Sequence, residues 1–172
     1  MLIKFSLANF LSFNQMQTFS MEAGKARKNS KRVYKDKHIK LTKCEAIFGA
    51  NASGKSNLIE AFQFVQDMVI NGLPNGFTNK YFRQEPCNQS LPSSFEVELL
   101  LGNKHIVYGF SVLLKTGSIQ REYLYEITPT NVQRQIFCRN LLDGTFFVGD
   151  YFKATSGIEK LNIYGEDSIA DS

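Results

Sequence analysis

The chain has 172 residues, 43% of them hydrophobic and 21% charged, which is enough for one packed domain and too apolar for a disordered segment. No apolar run approaches the ~20 residues of a membrane span, and the first residues, MLIKFSLANFLSF, have neither the flanks nor the small-residue cleavage site of a signal peptide. The formal charge of +4 is local: Lys25–Lys43 holds nine basic residues against Asp36 alone, which leaves the rest of the chain net acidic.

In chain order, LIKFSLANF alternates as a strand and MQTFSMEA reads as a second, joined through LSFNQ. The basic stretch follows as a solvated loop, and then KCEAIF as a short apolar strand leading to Gly49. From Lys55 to about Ile70, Leu58, Ile59, Ala61, Phe62, Val65, Met68 and Val69 recur at helical spacing, and NGLPNG ends that helix. After a polar loop from Phe77 to Ser94 the period changes to two. SFEVELLLGNKHIVYGFSVLL predicts a hairpin turning at GNK, and SIQREYLYEI, VQRQIFCR and GTFFVGDYF predict three more strands. The predicted class is α/β: a strand–loop–helix unit over 1–72 with a basic loop at 25–43, an antiparallel β region over 95–150, and a tail at 151–172.

Cys44, Cys87 and Cys138 are odd in number and widely spaced, and His38 and His105 have no ligand-spaced neighbours, so neither a disulfide framework nor a metal cluster is expected. A reduced, cytoplasmic protein fits this cysteine usage.

The chemistry concentrates between the predicted strand and helix. Gly49-Ala50-Asn51-Ala52-Ser53-Gly54-Lys55-Ser56 fits G-x-x-x-x-G-K-[ST] at every fixed position. Gly49 allows a tight turn and Gly54 a close backbone approach to phosphate. The amides from about Asn51 to Asn57 form an anion nest at the helix N-terminus, with Ala52 and Ser53 inside it. Lys55 supplies a point charge to the outer phosphates, and the Ser56 hydroxyl is placed for magnesium bridging them. The basic stretch, with Lys25, Arg27, Lys28, Lys31 and Arg32 at its start, is a candidate for nucleic-acid phosphates; its one aromatic, Tyr34, does not make a base-stacking surface.

IFGANASGKSNLIEAF resembles the phosphate loop of the ABC-type ATPase heads of the SMC, RecF and OLD group, and FSLANFLSF is similar to their opening strand. The antiparallel stretches, with Glu122, Leu124 and Tyr125 in an E-x-L-Y phrase, look like those of AAA-family ATP-binding proteins of the OLD and abortive-infection type. The resemblance implies ATP rather than GTP, with magnesium, and an Asn51 side chain near the γ-phosphate. Leu11 stands where those proteins commonly carry a base. Gln120, Gln133 and Gln135 are candidates for a magnesium-sensing lid glutamine, each equally readable as a strand surface residue.

Three parts of such a head are missing from the sequence: a Ser-Gly-Gly signature, a hydrophobic run ending in Asp-Glu, and a later switch histidine. Thr155–Glu159 is only a faint echo of the signature, and in NLLDG the catalytic acid's position is Gly144. The expectation is therefore an incomplete head: the N-terminal half of a P-loop NTPase, holding ATP in a DNA-repair or phage-defence type of system but not hydrolysing it alone. Its partner would be the missing C-terminal half or a second head subunit, with DNA a further candidate and no membrane. The alternatives are a non-catalytic DNA- or protein-interaction module with a vestigial loop, and a small P-loop phosphotransferase.

Overall fold

The computed structural model describes residues 1–24, 32–36 and 39–149. Seven antiparallel strands form one sheet: β1 (Leu2–Ala8), β2 (Gln17–Ser20), β5 (Ser93–Leu101), β6 (Lys104–Leu113), β7 (Ser118–Ile127), β8 (Gln133–Asn140) and β9 (Thr145–Val148), in the order β2-β1-β5-β6-β7-β8-β9. A separate hairpin pairs β3 (Val33–Lys35) with β4 (Lys40–Thr42), and a single α-helix, α1, runs from Lys55 to Asn71. A short 3-10 turn at Pro86–Ser90 lies in the loop before β5. The molecule is thus α/β with a mostly antiparallel sheet.

Alternation along the strands gives the sheet two unlike faces. Phe5 and Leu7 of β1 pair across with Val97 and Phe95 of β5, and Phe95 in turn with Phe110 of β6. Onto this inner face α1 lays Leu58, Ala61, Phe64, Val65 and Met68. The core is largely phenylalanine: Phe64 lies 5.0 Å from Phe95, 5.3 Å from Phe10 and 4.7 Å from Phe77, ring centre to ring centre, while Phe62 stacks on Phe5 at 4.1 Å. Phenylalanine brings ring area without a polar atom to satisfy, which suits a core lacking tryptophan.

The outer face is polar. Lys4 lies 3.6 Å from Glu98, which also meets His105 at 3.0 Å. Tyr123 reaches across Gly109 to donate its hydroxyl to Glu96 at 2.5 Å, and a Cβ at Gly109 would collide with that ring. Tyr108, on the inner face, donates to Glu122 at 2.7 Å, and Arg139 donates to the same carboxylate at 3.0 Å. Burial first, and the bond to a carboxylate second, push both phenols far above their ordinary 10.0. A raised folded pKa contributes stability that is intact below the unfolded value and lost as pH rises beyond it. Urea midpoints are therefore expected to fall between about pH 9 and about pH 11.5, and to fall less steeply in the double variant Tyr108→Phe, Tyr123→Phe; equal slopes would contradict this assignment.

Two sequence expectations need correction. The basic stretch is not simply a loop, because it contains β3 and β4. Leu41 is fully buried against Ile3 and Leu100, and backbone bonds from Thr42 to Met21 and from Ala23 to Lys40 tie the hairpin to the end of β2. The apolar segment before the phosphate loop, 43–48, is not a strand: it joins no ladder, Ile47 is 43% exposed and Phe48 89%. A strand is held by its neighbours' hydrogen bonds, and among the described residues no strand lies alongside this one. The strand–loop–helix unit is thus present as loop and helix only. The proposed tail at 151–172 lies outside the described residues.

Candidate nucleotide site

The N-terminus of α1 organises the site. Gly54 caps the helix at φ +90°, in the left-handed region where glycine carries no steric penalty. The first helical bond runs from the Leu58 amide to the Gly54 carbonyl at 3.0 Å, so the amides of Lys55, Ser56 and Asn57 precede the ladder. No side chain caps this end and no acid lies in the first turn, so the amides and the positive end of the helix dipole together favour an anion.

The loop wraps round the lysine. Lys55 Nζ donates to the carbonyls of Gly49 at 2.8 Å and Ala50 at 2.6 Å, and to Ser53 Oγ at 3.3 Å, which uses all three ammonium protons. Ala52 takes φ +63°, and Ser53 donates its amide to Ala50 at 3.3 Å. A Cβ on Gly49 would lie 2.7 Å from Ser53 Oγ, so the glycine is required for the loop to close this tightly. Asn51, Ala52, Ser53 and Ser56 are exposed, with Gly54, Lys55 and Asn57 half-buried behind them. The loop thus sets one hydrogen-bonded ammonium beside the free amides of the first helical turn, an arrangement that can accept a phosphate group.

Ser56 opens onto a groove along α1 that also involves Glu60, Gln63 and Asp67. Glu60 is engaged by Lys80. Among the described residues no three acidic, histidine or cysteine side chains gather as a metal site. The glutamine candidates stand on strands: Gln120 on β7, where its side chain donates to Ser118 at 3.0 Å, and Gln133 and Gln135 on β8, at the end paired with Ile127 and Tyr125. Lys25, Arg27, Lys28 and Lys31 lie outside the described residues. Arg32 is exposed at the start of β3, its carbonyl accepting the Lys43 amide at 2.9 Å.

One neighbour of the loop escaped the reading of the sequence as a site residue. The turn after β1 closes through a Phe10–Phe13 bridge, with Asn9 at φ +52° and Leu11 at φ +50°. Leu11, where the resemblance leads one to expect a base, packs its side chain against the core instead. The adjacent Ser12 stands beside Gly54, where a Cβ on the glycine would lie 2.8 Å from Ser12 Oγ. The only sequence signal was the phrase NFLS itself, forty residues upstream by rough count, and the contact is tertiary.

The sequence profile of the family described as "AAA domain, putative AbiEii toxin, Type IV TA system" matches residues 46–150, which is well over half of the chain. No curated protein matches the sequence. No helix among the described residues is long and apolar enough to cross a membrane. The matched span begins just ahead of the phosphate loop and runs through the end of β9, and so takes in the helix and most of the sheet that positions it: the chain belongs to this family of AAA-type ATPase domains.

Proposed function

We propose that the chain binds ATP with magnesium as the phosphate-holding part of an ABC-type head of the SMC, RecF and OLD kind. The observation that carries this reading is the uncapped first turn of α1 with the Lys55 ammonium drawn into the loop beside it. Gly49 to Asn57 hold the phosphates. Lys55 would exchange its own carbonyls for the β- and γ-phosphate oxygens, Asn51 would reach toward the γ-phosphate, and Ser56 would be the loop's ligand to magnesium. Magnesium, when bound, neutralises charge on those oxygens.

The acid that would activate water and the signature that would close over the γ-phosphate are not among these residues, so both come from another segment or subunit. The unladdered, exposed stretch ending in Ile47 and Phe48 favours such a partner, because a neighbouring strand would satisfy its backbone and cover those side chains. The DNA-repair or phage-defence setting rests on the sequence resemblance alone, and the basic stretch 25–43 is the proposed surface for DNA.

Titration calorimetry with ATP, with and without magnesium, tests the reading. Binding is expected to weaken about 100-fold in Lys55→Ala, the order of a lost charge-assisted contact. Equal binding by the variant would overturn the site. Vigorous magnesium-dependent turnover by the chain alone, abolished in Lys55→Ala, would overturn the view that catalysis needs a second part.

A further inference from the structure

We draw no further inference here: the strongest candidate, the exposed apolar side of α1 at Ile59, Val69 and Ile70, carries none, because nothing in the structure shows what covers it.

Discussion

Phe64→Ala lowers the stability of the chain by about 3–5 kcal/mol, the range for deleting a large buried ring whose site cannot collapse. Phe64 is fully buried and sits where four rings converge: Phe10, Phe77, Phe95 and Phe110 all have centres within 6.2 Å of it. Two of these stand on the central strands β5 and β6, one on the turn after β1, and one on the loop after α1, so relaxation in any one direction opens a gap in another. The measurement is a urea unfolding curve, with a midpoint shift at unchanged slope. A loss below about 1 kcal/mol would mean that α1 does not pack on the sheet through this ring.

Asn9→Ala has an effect of similar size through a different mechanism. Asn9 is 5% exposed, and its amide group donates to the Asn88 and Leu91 carbonyls while its Oδ1 accepts the Phe82 amide at 3.1 Å. Alanine would leave those buried groups without partners and would also hold φ +52°, a conformation asparagine tolerates and alanine resists. Together these contributions give about 3 kcal/mol. Asn9→Asp separates them: it keeps the acceptor and the backbone tolerance, loses the donors, and brings a carboxylate close to carbonyl oxygens. It should therefore destabilise without the backbone contribution. Thermal melts of both variants check this, and a wild-type midpoint in Asn9→Ala would refute the role given to the side chain.

Much of this fold was readable because its signals are local. In β1, Phe5 and Leu7 alternate with Lys4 and Ser6, and that alternation alone assigns their faces. The β5–β6 turn was legible from GNK, where Gly102 indeed takes φ +60°. The helix was legible from its apolar spacing. Three-residue strands such as β3 and β4 carry too few positions for a period, and only Val33, Tyr34 and Leu41 are apolar among their six residues. The stretch 43–48 misled for the opposite reason: its composition suits a strand, but a strand also needs neighbours. The phosphate loop was legible as a contiguous motif. What Lys55 bonds to and what stands beside Gly54 were not, since those depend on how the loop closes and on a turn from elsewhere in the chain.

The three bonds that Lys55 makes to its own loop have a further consequence for occupancy. A phosphate chain must win the ammonium from the Gly49 and Ala50 carbonyls and the Ser53 hydroxyl, so the binding-competent loop is a fraction of the whole population. The apparent dissociation constant is the intrinsic one divided by that fraction. Whatever holds the loop open, whether a partner or a substitution at Ser53, would tighten nucleotide binding without adding one contact to the nucleotide.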